Sequence, residues 1–82
     1  MASYPKTFTA NSFIQQEDGR YMATIPGTTH GLGIAFGVTR VQKRRTDMTW
    51  ENVIPCYEVT QDGDFKLYVE ETGIYRVYLS ED

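Results

Sequence analysis

Residues 62–79 read DGDFKLYVEETGIYRVYL, and their alternation decides the fold. Phe65, Leu67 and Val69 recur at every second position against Lys66, Tyr68 and Glu70. That is the period of a strand with one buried face, because successive side chains leave a strand on opposite sides. Asp62-Gly63 opens the run with a turn signal, and Thr72-Gly73 reverses the chain again. In the last run Tyr75, Val77 and Leu79 oppose Ile74, Arg76 and Tyr78.

The same grammar extends toward the N-terminus. Asp18-Gly19 marks a hairpin between Phe13–Gln16 and Arg20–Ile25, where Tyr21, Ala23 and Ile25 share a face until Pro26-Gly27 stops the strand. Thr28–Gly33 is a loop of small residues. Ile34–Lys43 is the longest strand candidate, with Ile34, Phe36 and Val38 on one face and a polar second half. Lys43-Arg44-Arg45-Thr46-Asp47 reads as an exposed hairpin tip. The return run, Thr49–Val59, contains Pro55, which fits an edge strand or a bulge better than a central strand. Phe8-Thr9 is a short edge strand, preceded by a loose N-terminal arm over residues 1–6.

No segment keeps the three-and-four spacing of a helix. The chain is therefore expected to be all-β: a small antiparallel β-sandwich or barrel of six to seven short strands, in one domain over residues 7–82. Alternation alone fits sandwich and barrel equally. The expected core is Phe13, Tyr21, Ala23, Ile25, Phe36, Val38, Val53, Val59, Phe65, Leu67, Val69, Tyr75, Val77 and Leu79.

With 82 residues there is one core and little room for a deep cleft within it. A hydrophobic fraction of 40% with 13% aromatics is too rich for a disordered chain. The net charge of −3 gives no global field to attract nucleic acid, and none is expected as a partner. Cys56 is the only cysteine, so neither an internal disulfide nor a zinc site built on several cysteines is open to one chain. No apolar run suits a secretory leader or a membrane span, so no membrane association is expected.

Few residues invite chemistry. His30 is the only histidine, in Thr28-Thr29-His30-Gly31-Leu32-Gly33, and no nucleophile motif accompanies it. Its ring is expected to bond backbone groups and brace the loop. Gly31-Leu32-Gly33 lacks the spacing and the following helix of a phosphate loop. Asp62-Gly63-Asp64 lacks the rest of a calcium-loop ligand series and is better read as turn chemistry. Cys56 beside Pro55 is expected to be a small, half-buried residue. No enzyme activity, cofactor or metal is expected.

The candidate interface is Lys43, Arg44, Arg45, Trp50, Tyr68 and Tyr78. The three cations either form a solvated tip that blunts edge pairing or grip a protein partner. Tyr68 and Tyr78 fall opposite the expected core. They fit equally an interface, where Tyr and Trp are enriched, and a second apolar layer.

The order Phe8-Thr9-Ala10, Phe13, Asp18-Gly19 with Tyr21, Ile25-Pro26, His30-Gly31-Leu32-Gly33, Gly63-Asp64-Phe65 with Leu67, and Gly73 with Tyr75, Val77 and Leu79 resembles a small β module. Modules of that pattern occur in head-associated, tail and fibre proteins of tailed bacteriophages. The likeness runs from about Thr7 to Leu79, and its most specific part is Ile25-Pro26 followed by His30-Gly31-Leu32-Gly33. The Lys43-Arg44-Arg45 tip and the Trp50–Val59 segment depart from it.

The resemblance implies a virion component, made in the host cytoplasm, that binds viral structural proteins of capsid or tail in multiple copies. A capsid-associated decoration, auxiliary or head-fibre protein is the leading expectation. A tail-tip module stacking sugar rings on Trp50, Tyr68 and Tyr78 is one alternative, and an intracellular regulator of a host protein is another. A homo-oligomer is compatible with all three.

Overall fold

Alternating apolar residues turn two sheets toward one another in the computed structural model, which describes residues 3–81. The elements are β1 (Ser3–Phe8), β2 (Ile14–Gln15), β3 (Tyr21–Ile25), α1 (Gly27–His30), β4 (Phe36–Arg44), β5 (Trp50–Asn52), β6 (Cys56–Val59), β7 (Phe65–Val69) and β8 (Tyr75–Glu81). Sheet I has the order β1-β8-β4-β5 and sheet II the order β2-β3-β7-β6, each antiparallel throughout. The fold is a small β-sandwich, with eight described strands where six or seven were expected.

Hairpins β2–β3, β4–β5 and β6–β7 stay within a sheet, and the intervening segments cross between sheets. Pro55 lies in one such crossing, between β5 and β6, so it interrupts no ladder. Both Asp-Gly turns use glycine at positive φ, +90° at Gly19 and +87° at Gly63.

The core is Phe8, Phe13, Ala23, Ile25, Leu32, Phe36, Val41, Phe65, Leu67, Tyr75, Val77 and Leu79. Of the expected members, Tyr21, Val38, Val53, Val59 and Val69 are only partly buried and pack at its margin. At one end Phe13 lies 5.8 Å from Phe8 and 5.4 Å from Tyr75, centre to centre, in tilted and edge-on geometries that suit aromatic quadrupoles.

Three expectations are corrected. The N-terminal arm is ordered from Ser3: β1 pairs with β8 from Ser3 opposite Ser80 to Phe8 opposite Tyr75, and buried Phe8 anchors it. Met1 and Ala2 lie outside the described residues. The long strand starts at Phe36, leaving Ile34 66% exposed. Finally, β4 slips phase at a bulge. Val38 pairs with Leu79 and Arg40 with Tyr78, so Thr39 is the extra residue. Beyond it the inward positions become Val41 and Lys43, which buries Val41 and sends Arg40, Gln42 and Arg44 outward.

Candidate functional site

Lys43, Arg44 and Arg45 adjoin in sequence but do not share a surface. Lys43 and Arg44 belong to β4 itself, and alternation sends them to opposite sides. Lys43 turns to the inner side and pairs with the Glu71 carboxylate, its Nζ 5.8 Å from the centre of the Tyr75 ring. This bond holds the Lys43 ammonium above its ordinary range and the Glu71 carboxyl below its own. Lys43 lines a cleft of about 430 Å³ with Glu51, Val53, Val69, Glu71 and Tyr75. Arg45 Nη2 stands 3.3 Å from Glu51 Oε2. Arg44 has no carboxylate among the described residues: Nη2 donates to Met48 Sδ at 3.0 Å, and Nε is buried without an acceptor.

Arg44 instead belongs with residues remote in sequence. The register sets Arg44 opposite Trp50, Gln42 between Asn52 and Arg76, and Arg40 opposite Tyr78. All seven project from the outer face of sheet I. The Arg76 Cζ lies 4.0 Å from the centre of the Trp50 ring system, and its Nε and Nη2 donate to Gln42 Oε1 at 3.2 and 2.8 Å. Gln42 Nε2 in turn donates to Asn52 Oδ1 at 3.0 Å. The Arg40 Cζ lies 4.6 Å from the centre of the Tyr78 ring. Thr39 and Ser80 hydroxyls, 2.9 Å apart, continue the polar surface. Among the described residues no acidic side chain shares this face: Glu51 is on the inner side of β5, opposite Lys43.

Arg40 and Arg76 are the residues that inspection of the sequence missed. Their signal was present in the polar alternation of residues 40–44 and 76–78, but it joins only once β4 and β8 are paired in register.

Tyr68 is not part of this surface. It lies on the outer face of sheet II, opposite Met22 and Cys56, with the Arg20 Cζ 4.7 Å from its ring centre. Its hydroxyl donates to Glu58, which pushes the phenol pKa up. Cys56 is exposed rather than half-buried, and Arg20 Nη1 approaches its sulfur at 3.4 Å.

His30 is buried at the end of the one-turn α1. The Leu32 N–H donates to His30 Nδ1 at 2.9 Å, so Nδ1 is the acceptor and carries no proton. Nε2 therefore bears the hydrogen and donates to the Gly63 carbonyl at 2.6 Å. Nδ1 thus braces the Pro26–Gly33 loop internally, and Nε2 ties that loop to the β6–β7 turn. Asp64 Oδ1 reinforces the tie by accepting the Gly27 N–H at 2.8 Å. Among the described residues no group of three or more His, Cys, Asp and Glu side chains is placed to hold a metal ion, and no helix is long and apolar enough to cross a membrane.

No known protein family, curated protein or solved structure matches this chain.

Proposed function

We propose that the chain is a non-enzymatic structural protein of a tailed-bacteriophage virion, a capsid-associated decoration, auxiliary or head-fibre protein, attached to the larger assembly by the outer face of sheet I. The viral part of this reading rests on the sequence resemblance. The attachment part rests on one observation: Arg40, Arg44 and Arg76 stand together without a carboxylate, beside Trp50 and Tyr78, on a chain of net charge −3.

Arg, Trp and Tyr are the side chains that most often dominate interface energetics. Here the rings and Gln42 already hold the guanidinium groups, so docking loses less side-chain entropy than it would with free arginines. Face burial also suits the edges of the sandwich. The β1 edge contains Pro5, which has no N–H to offer, and the other edge strands, β2, β5 and β6, are only 2, 3 and 4 residues long.

Carbohydrate stacking, the tail-tip alternative, is less well served. Trp50 and Tyr78 carry arginines over their rings, and Tyr68 lies on the other sheet beneath Arg20. Quantitative mass spectrometry of purified particles from the source tests the proposal through copies of this chain per particle. A number matching the shell lattice supports capsid attachment. A handful of copies moves the chain to tail or fibre, and its absence from particles overturns the virion reading in favour of an intracellular regulator.

A further inference from the structure

We infer that the occupant of the outer face of sheet I is an extended, carboxylate-bearing segment of a partner protein, with acidic side chains at alternate positions. The inference rests on the docking role proposed above and supplies its chemistry.

Charge comes first. Arg40 has the Tyr78 ring as its described contact, Arg44 has the Met48 sulfur, and Arg76 has the neutral Gln42 amide. A guanidinium presents a planar fork that matches the two oxygens of a carboxylate, and none of these forks is matched among the described residues. Off this face both other arginines are paired, Arg20 with Asp18 and Arg45 with Glu51, and Lys43 pairs with Glu71. The unpaired arginines are collected on one face.

Spacing comes second. Arg40, Gln42 and Arg44 follow the bulge at alternate positions of β4, and Arg76 stands across from Gln42 on β8. The strand positions that face outward on β4 therefore recur about every 6–7 Å, twice the rise per residue of a strand, with arginines at the first and third and the Arg76 guanidinium reaching across the row to Trp50. Acidic side chains on one side of an extended segment recur at the same interval. Asn52, Thr39 and Ser80 add neutral hydrogen-bonding groups beside the row.

Two observations favour a peptide over a nucleic-acid strand. Single-stranded nucleic acid gains affinity by stacking bases on open aromatic faces, whereas Trp50 and Tyr78 already carry guanidinium groups. A chain of net charge −3 also repels a long polyanion more than a short acidic segment.

The test is an NMR titration of the full 82-residue chain. Three probes are used: a synthetic peptide alternating glutamate with threonine, its isomer with the glutamates contiguous, and an oligothymidylate of equal charge. The alternating peptide is expected to shift the Nε–H signals of Arg40, Arg44 and Arg76 and the Trp50 indole N–H. Its affinity should exceed that of the contiguous isomer, fall with added salt, and drop about tenfold in the R40Q/R76Q double variant. A dispersed amide spectrum for that variant shows that the fold is kept, and the single R40Q at an exposed position gives a second reading.

Equal binding of the two isomers overturns the alternating register. Tighter binding of the oligothymidylate overturns the choice of partner, and no perturbation of the face by the alternating peptide overturns the inference outright. Co-sedimentation with particles separates this failure from failure of the docking role. Loss of attachment in R40Q/R76Q, with the peptides ignored, leaves the face as a docking site of other chemistry. Unchanged attachment of the variant removes the docking role itself.

Discussion

Arg76 reaches from β8 across β4 to lie over Trp50 of β5, with its Cζ 4.0 Å from the centre of the ring system. Through its bonds to Gln42 on the way, one side chain laces three strands of sheet I. A surface cation–π contact contributes about 0.5–1 kcal/mol, and a part-buried hydrogen bond about 1 kcal/mol. Arg76→Ala is thus expected to lose about 1–2 kcal/mol. Trp50 is the only tryptophan, so its emission reports the contact directly. Urea denaturation followed at Trp50 should show an altered native signal and a lower midpoint. An unchanged native emission spectrum would mean that the stack is absent in solution.

That lacing was not legible in the sequence, and the reason is physical. Alternation shows which residues of one strand share a face, and Phe65, Leu67, Tyr75, Val77 and Leu79 were placed in the core on that basis. Turn chemistry is equally local, and both Asp-Gly turns were readable. Pairing partners are a tertiary choice: nothing in residues 36–44 names residues 75–81 as their neighbours. The bulge at Thr39 is also invisible to a period-2 reading, which continues in phase from Val38 to Arg40 and misses Val41. β1 was read as a loose arm because Ser3–Thr7 is polar apart from Tyr4 and contains Pro5. It becomes a strand because the edge of β8 is open to it and Phe8 fills the core end.

The tie between His30 and Gly63 carries a second expectation. His30→Ala leaves the Leu32 N–H and the Gly63 carbonyl without their partner and removes a ring whose centre lies 4.6 Å from that of Phe36, tilted against it. Unsatisfied buried backbone groups cost about 1–3 kcal/mol each, so the variant should lose at least about 2 kcal/mol. Gly63→Ala should be comparably damaging. Its Cβ would stand 2.9 Å from the Gly33 carbonyl oxygen, at a φ of +87° that L-residues rarely adopt. Hydrogen exchange at the Leu32 amide reads the tie itself. Fast exchange there in the wild type would contradict it.

The bulge gives a sharper test than any substitution. Deleting Thr39 removes the extra residue and restores strict alternation, with Phe36, Val38, Val41 and Lys43 inward and Arg40, Gln42 and Arg44 outward, so both halves of β4 keep their partners on β8. Val41 is only 2% exposed in the native sandwich. The deletion keeps it inward, with the stabilisation of about 1.5–3 kcal/mol that its burial contributes, and gives up only the Thr39–Ser80 hydroxyl contact and the local bend of the strand. The deletion variant should therefore give a dispersed amide spectrum in which Val41 still lies against Val77. An undispersed spectrum would show that the bulge itself, and not the inward set of side chains, fixes the register.

Acid should weaken the fold through three carboxylates. The Arg20 backbone N–H, followed by its guanidinium, holds the Asp18 carboxyl below its usual range. The Thr49 hydroxyl and N–H do so for Asp47, and Lys43 does so for Glu71. A folded-state pKa below the unfolded one contributes stability that is complete above the ordinary carboxylate range, about 4. That contribution is lost as pH falls through the lowered values. At the alkaline end, burial pushes the Tyr75 phenol up. The neutral form is then favoured by the fold, and its contribution is present below about pH 10 and lost as pH rises through the raised value. Urea midpoints measured across pH should fall on both limbs. Glu71→Gln removes the charge that Lys43 faces and should make the acid limb shallower than in the wild type. Superimposable acid limbs would show that the Lys43–Glu71 pair contributes nothing to stability in solution.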